Sequence, residues 1–302
     1  MNNWPIKGFI PVMLTPFTKA GQIDFPCLEK LTNWYIDNGA VALFANCLSS
    51  EMFELSEAEA LAVVQTVVRV TNKRVPILAV GTIQGDLAEM VRFSTKLVEV
   101  GVDVIVVLNN VLSHEDDSEA YLIEKLEEFQ IRFPDVPLGI YECPVPYKRL
   151  VPKETLQYLI SKNRFVYFKD TSLSLESLSS RVEMCKETSL GIYEAYLGNS
   201  RESLRAGASG LTCIQGNYFP SLITWLHGNF EHPRALQVEG FFWKHFSLMH
   251  QAYPRAAKYC LQKQGIPMDI FTRRNVPDLS SEICLQLDEM LEEYHCLFKD
   301  LI

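Results

Sequence analysis

The sequence predicts an α/β fold, a (β/α)8 TIM barrel with a C-terminal helical extension. Short β-rich apolar runs alternate with longer amphipathic stretches as far as residue 215. Eight such runs separated by helical patterns imply a parallel sheet, and eight repeats favour closure. A doubly wound sheet would carry a glycine-rich turn after its first strand. The first turn here is Thr15-Pro16-Phe17-Thr18, with no G-x-G, so the barrel is favoured.

The strands are expected over 9–14, 41–45, 75–80, 102–108, 138–141, 165–169, 192–197 and 210–214, each a brief apolar run between polar flanks. Helices are expected between them over 26–38, 56–70, 86–100, 118–133, 152–161, 175–186 and 200–206. The second of these opens on Ser56 with Glu59 three residues on, which is a capping box. Beyond residue 215 the strand pattern stops, and 219–229, 233–250, 254–265 and 280–301 read as helices. The first of these is expected to close the barrel. The expected division is a catalytic barrel over 1–230 and a helical region over 231–302 packed on it. No linker rich in Gly, Ser or Pro and no repeat of solenoid type interrupts the chain.

The chain has 302 residues, 48% of them hydrophobic, enough for a large single core. A net charge of −9 disfavours nucleic acid and anionic membrane as partners. An anionic substrate would then be held by local amides and hydroxyls. The eight cysteines, Cys27, Cys47, Cys143, Cys185, Cys213, Cys260, Cys284 and Cys296, stand singly. With no C-x-x-C pair and no histidine cluster at zinc-ligand spacing, no metal site is expected. Single cysteines suit a reducing cytosol, and a cytoplasmic location is expected. The stretch from Met1 to Lys7 lacks the charged-then-apolar order of a signal peptide, and no run reaches transmembrane length.

Lys169 is the most informative residue. It closes the apolar run Phe165-Val166-Tyr167-Phe168 and is followed by Asp170-Thr171-Ser172. Desolvation at a buried strand end favours the neutral amine, which attacks a carbonyl carbon and forms an imine. The competing reading is a strand-end lysine snorkelling to solvent. Barrel enzymes place their active residues at the carboxyl ends of strands. Those ends supply Ser49, Ser50 and Glu51 after strand two, Tyr141 at strand five and Thr212 at strand eight.

These segments resemble the pyruvate-dependent class I aldolase family that contains dihydrodipicolinate synthase and N-acetylneuraminate lyase. The likeness runs along nearly the whole chain: Thr15-Pro16-Phe17 with Gly21-Gln22-Ile23-Asp24; Glu51 with Leu55-Ser56 and Glu59; Tyr141-x-x-Pro144; Lys169-Asp170-Thr171-Ser172; Gly207-Ala208-Ser209-Gly210 with Asn217 and Pro220; and Ala257-Lys258, Arg273 and Pro277. The resemblance implies that Lys169 forms the imine and that Tyr141 shuttles the proton. It implies that the strand-two turn, with the hydroxyls of Ser49 and Ser50, binds the keto acid's carboxylate. Thr212 would point into the barrel mouth. The implied partner is a small 2-keto acid, such as a 2-keto-3-deoxy sugar acid, with no cofactor beyond the covalent imine. A homo-oligomer, a tetramer or dimer, is implied too.

Departures from the family pattern bear on the substrate. Leu48 stands where the synthase has a relay hydroxyl, and Pro146 where it has a carboxylate-binding arginine. The tyrosine lent across the subunit interface after strand four is replaced in Leu108-Asn109-Asn110-Val111-Leu112. Val111 and Leu112, apolar in a polar turn, suggest burial against a partner subunit. Lys148 and Arg149 suggest a solvated basic turn. The expected activity is a Schiff-base lyase that is not an efficient dihydrodipicolinate synthase. The alternatives are a dehydratase of a 2-keto-3-deoxy sugar acid and a catalytically reduced keto-acid-binding protein.

Overall fold

A computed structural model describes residues 4–301 and shows eight parallel strands in one curled sheet, ordered β1-β8-β7-β6-β5-β4-β3-β2. Met1 to Asn3, part of the stretch read for a leader, and Ile302 lie outside the described residues. The strands are β1 (Gly8–Phe9), β2 (Leu43–Asn46), β3 (Ile77–Val80), β4 (Val104–Leu108), β5 (Leu138–Tyr141), β6 (Phe165–Asp170), β7 (Gly191–Glu194) and β8 (Gly210–Leu211). The sheet closes between β2 and the segment after β1. There the Phe44 N–H donates to the Pro11 carbonyl and the Met13 N–H to the Phe44 carbonyl, each at 3.0 Å.

Six strands are shorter than expected, and three of them end for local reasons. β1 stops after Phe9 because Pro11 has no N–H to give, and the rest of 9–14 survives as a bridge between Val12 and Phe44. β7 ends at Glu194, whose carboxylate takes the Tyr196 N–H at 2.7 Å and turns the chain. β8 ends at Leu211, and Ile214–Asn217 winds into a 3-10 turn.

The barrel helices are α1 (Phe25–Asp37), α2 (Glu57–Thr71), α3 (Leu87–Glu99), α4 (Asn109–Leu112), α5 (Glu119–Gln130), α6 (Lys153–Lys162), α7 (Leu175–Cys185), α8 (Ser200–Ala206) and α9 (Pro220–Gly228). Ser56 and Glu59 form the expected reciprocal cap, with the Ser56 N–H on Glu59 Oε2 at 2.9 Å. Helix α9 packs on β1 and β8. Then follow α10 (Ala235–His250), α11 (Arg255–Lys263) and α12 (Ser281–Leu301). Phe219, at the start of α9, stacks on Tyr294 of α12 with ring centroids 4.3 Å apart. Among the described residues no helix is long and apolar enough to cross a membrane.

The one-turn helix α4 replaces the polar turn expected after strand four. Asn109 Nδ2 donates to the Arg149 carbonyl at 2.7 Å, and Asn110 Nδ2 to the Cys143 carbonyl at 2.8 Å. These bonds draw the chain inward. Leu112 is buried in the layer between strands and helices, and Val111 is half-buried against that layer and the barrel interior. The chain covers both side chains itself, so they give no ground for a partner subunit.

Two apolar layers hold the fold. One lies between strands and helices; the other fills the barrel with Ile10, Phe44, Leu78, Val104, Tyr167 and Tyr193 among others. Gly139 faces Tyr167 across the β5–β6 pair. A Cβ on Gly139 would stand 3.1 Å from the Tyr167 ring and 3.2 Å from Val106, so the missing side chain is what admits the tyrosine.

Candidate active site

Strand register sets the centre of the site. Tyr141 and Lys169 are direct partners in the β5–β6 pair. The alternation along β6 sends Tyr167 and Lys169 into the barrel and Phe168 and Asp170 to the outer layer. The Lys169 residue is 5% exposed, and its Nζ lies 4.2 Å from the centroid of the Tyr141 ring and 5.9 Å from that of Phe44. Burial lowers the pKa of this amine from 10.5, and the groups acting against burial are three thiols, Cys47, Cys143 and Cys213. No carboxylate stands among them. Burial is also the largest influence on the Tyr141 phenol and raises it well above its usual value, with the Cys143 thiol next. The centre is therefore a buried amine, its pKa lowered, against a phenol held protonated. Burial pushes Cys213 to about 12 and raises Cys143, so these two are unreactive thiols at neutral pH.

The two central residues are pinned from outside the barrel. Each is followed by an acid, Glu142 and Asp170, and both acids meet Arg181 of α7. The guanidinium reaches Glu142 Oε1 at 2.7 Å and Asp170 Oδ2 at 2.5 Å, and donates to the Val151 carbonyl at 2.9 Å. All three side chains are buried. One cation thus ties the ends of β5 and β6 to a helix.

After β2, Cys47 leads into a 3-10 turn, Leu48–Ser50. The first amides of such a turn have no partner within it. The Ser50 hydroxyl donates to the Met13 carbonyl at 2.7 Å and accepts from the Cys47 N–H at 3.2 Å, so it holds the turn's shape. Ser49 is 5% exposed, and near it the Tyr253 hydroxyl accepts from Asn217 Nδ2 at 2.6 Å. Thr212 is fully buried, its Oγ1 3.0 Å from the Tyr167 hydroxyl. The structure therefore gathers Lys169, Tyr141 and Cys47 at the mouth, with Ser49 on the turn, and sets Ser50 and Thr212 in bonds of their own.

Glu51 follows in a left-handed conformation, φ 58, which costs a non-glycine residue roughly 1–2 kcal/mol. Its carboxylate offsets this. Oε1 pairs with Lys258 of α11 at 2.8 Å, and Oε2 takes the Arg273 and Arg274 N–H groups at 2.7 and 2.8 Å. The basic turn differs from its expectation in part. Lys148 is exposed, but Arg149 is 9% exposed and donates to the His114 carbonyl at 2.6 Å and to Glu119 at 2.8 Å. It fastens the loop before α5.

Sequence reasoning missed Arg181. For Arg181 a signal exists: an acid directly follows each central residue, and two buried acids demand a cation. Among the described residues no group of His, Cys, Asp and Glu side chains is arranged to hold a metal ion.

Comparison with known proteins supplies the relationship. Residues 5–294 match the dihydrodipicolinate synthetase family. The chain is similar to 4-hydroxy-tetrahydrodipicolinate synthase of Acidithiobacillus ferrooxidans, 25% identical over 96% of this chain and 99% of that one. The synthase of Geobacter metallireducens is 27% identical over 77% of this chain and 80% of its own. Among solved structures, YagE, a prophage protein of E. coli K12 crystallised with pyruvate, matches with a TM-score of 0.86 at 22% identity, covering 96% of this chain and 98% of that one. The synthase of Bacteroides thetaiotaomicron matches with a TM-score of 0.87 at 20% identity, over 96% and 99% of the two chains. The chain belongs to the dihydrodipicolinate synthetase family, a family of pyruvate-dependent class I aldolases.

Proposed function

We propose that this chain is a Schiff-base lyase that forms or breaks a carbon–carbon bond next to the imine of pyruvate or a related 2-keto acid. The observation that carries the reading is the Lys169 amine, buried without a carboxylate partner and 4.2 Å from the Tyr141 ring centroid. Lys169 Nζ attacks the ketone carbon of the keto acid. Tyr141 gives its proton to the carbinolamine oxygen, and water leaves as the imine forms. The phenolate, stabilised by the new iminium charge, then takes a proton from the adjacent methyl carbon. The resulting enamine attacks an aldehyde, whose oxygen takes the proton back from Tyr141. Water hydrolyses the imine and frees the 4-hydroxy-2-keto acid. No oxidant or cofactor enters the balance.

The Leu48 and Ser49 amides, opening the turn after β2, and the Ser49 hydroxyl are the donors for the keto acid's carboxylate. In this reading Ser50 shapes that turn, and Thr212 steadies Tyr167 beneath the amine. Efficient condensation with aspartate semialdehyde is not expected, because Leu48 brings no hydroxyl to a relay and Pro146 no charge. The test is reduction with borohydride in the presence of pyruvate, followed by peptide mapping. The label belongs on the peptide containing Lys169; a label elsewhere, or none with any 2-keto acid, overturns the reading. A homo-oligomer of this chain is part of the same proposal, and a single-chain mass in light scattering refutes that part.

A further inference from the structure

We propose that Asn110 is a positioning residue for the proton transfers of Tyr141, acting through the turn that follows the phenol. This rests on the lyase reading above. Tyr141 ends β5, and its partner in the register is Leu108, the last residue of β4. Asn110 stands two residues beyond that partner, within reach of the chain that leaves Tyr141.

The turn is Cys143-Pro144-Val145-Pro146-Tyr147, and it begins where the Cys143 N–H folds back on the Tyr141 carbonyl at 2.9 Å. Packing does not hold it, because Pro144, Val145 and Pro146 are all exposed. Nor does it hold itself, because its two prolines have no N–H to give. The carbonyls of Cys143, Val145 and Tyr147 therefore need a donor from elsewhere, and one amide serves all three. Asn110 Nδ2 donates to the Cys143 carbonyl at 2.8 Å, to that of Val145 at 3.0 Å and to that of Tyr147. Among the described residues no other group donates to them.

Asn110 is 2% exposed, and its Oδ1 is buried without a partner. An apolar side chain would leave no unmatched acceptor there, and a turned amide would set its oxygen against three carbonyls. The donors are what this side chain contributes. Neighbouring bonds tie the same two segments farther from the phenol. Asn109 Nδ2 donates to the Arg149 carbonyl at 2.7 Å, the Tyr147 hydroxyl to the Ser113 carbonyl, and the Arg149 guanidinium to the His114 carbonyl at 2.6 Å. Of these bonds, those of Asn110 alone reach Cys143, two residues past Tyr141. Glu142 between them is held by Arg181 from the outer layer, so the end of β5 is fixed from two sides.

The step to read is exchange of the pyruvate methyl hydrogens for deuterium in heavy water, which needs no aldehyde. In the imine the methyl C–H bond breaks and its pair forms the enamine double bond. The C=N π pair moves to nitrogen, and the proton passes to the Tyr141 phenolate. The phenol exchanges with solvent and returns a deuteron by the reverse path. In the full chain, Asn110→Leu should slow this exchange roughly tenfold or more, a part of the about 10²–10⁴-fold that a positioned acid or base contributes. Borohydride trapping of pyruvate at saturation should stay within about twofold of the parent. Asn110→Asp keeps the size and gives up the donors; it should behave alike, and it supplies the reading if the leucine variant does not fold. Asn110→Gln keeps the amide and should recover part of the rate. Arg149→Gln is the control. It loosens the loop before α5, so it should lower the melting temperature and leave exchange within about twofold of the parent. Exchange at the parent rate in folded Asn110→Leu or Asn110→Asp overturns the assignment and leaves the lyase reading in place. Trapping that falls in step with exchange, or an equal loss of exchange in Arg149→Gln, overturns it too, since the effect is then one of stability. A parent chain that traps no pyruvate overturns the lyase reading, and this inference with it.

Discussion

The proposed mechanism gives Tyr141 the proton transfers, and removing its hydroxyl tests that assignment. A positioned general acid is typically worth about 10²–10⁴-fold, so Tyr141→Phe should lower kcat by that order while pyruvate is still trapped on Lys169. Unchanged turnover would take the phenol out of the mechanism. The amine carries its own pH signature. Burial lowers its pKa below 10.5, so the trapping rate should rise with pH through an inflection below that of an exposed lysine. Above the inflection the amine is neutral and the folded state no longer bears a buried charge, so stability also rises with pH there. Glu194 runs the other way. Burial raises its carboxyl from 4.5 to about 8. Below pH 4.5 it is protonated folded or unfolded; between 4.5 and about 8 only the unfolded chain ionises, so stability falls as pH rises. Glu194→Gln keeps an acceptor for the Tyr196 N–H and should be more stable than the parent at pH 8, by a few kcal/mol on the order of ~1.4 per pH unit. Equal melting temperatures of the two at pH 8 would contradict this. The buried strand-end placement of Lys169 and Tyr141 was legible in the sequence because each closes an apolar run. The Arg181 clasp behind them was not, since Glu142 and Asp170 meet it only when α7 packs on the strands.

At the scale of elements, Arg181 governs how β5 and β6 present the pair. Its two buried carboxylates lose their cation in Arg181→Met. Breaking such a group typically costs about 3–5 kcal/mol, visible as a lower urea midpoint. The strand ends should also loosen, so kcat should fall by more than KM rises, and Arg181→Lys should restore part of the loss through its retained charge. A variant with the parent's stability and kcat would show that register alone holds the pair. Strand positions were readable from apolar runs, and the α2 start from Ser56 and Glu59. Strand ends were less so, because side chains meeting backbone set them: Glu194 stops β7, Pro11 breaks β1, and Asn109 and Asn110 curl the segment after β4 into α4. Local pattern does not show which backbone group an asparagine or glutamate will find.

Across the whole molecule, the C-terminal helices are joined to the active turn through Glu51. Its carboxylate and Lys258 are fully buried, 207 residues apart in sequence, and meet at 2.8 Å. No periodicity or motif spacing marks such a contact, although both residues lie in segments that pointed to the family. The left-handed turn at Glu51 fixes the Leu48 and Ser49 amides, and α11 fixes Glu51 in turn. The helical region thus braces the turn after β2, through Glu51 and through Arg274 on the Leu48 carbonyl. Lys258→Met leaves the Glu51 charge buried with only two backbone amides, and should destabilise the fold by about 3–5 kcal/mol. Pairing it with Glu51→Gln removes the stranded charge and should recover much of that stability, while KM for pyruvate stays raised because the turn is no longer held. Thermal melts and pyruvate kinetics on the two variants separate the effects. Full recovery of KM along with stability in the double variant would show that α11 supports the barrel but does not set the turn.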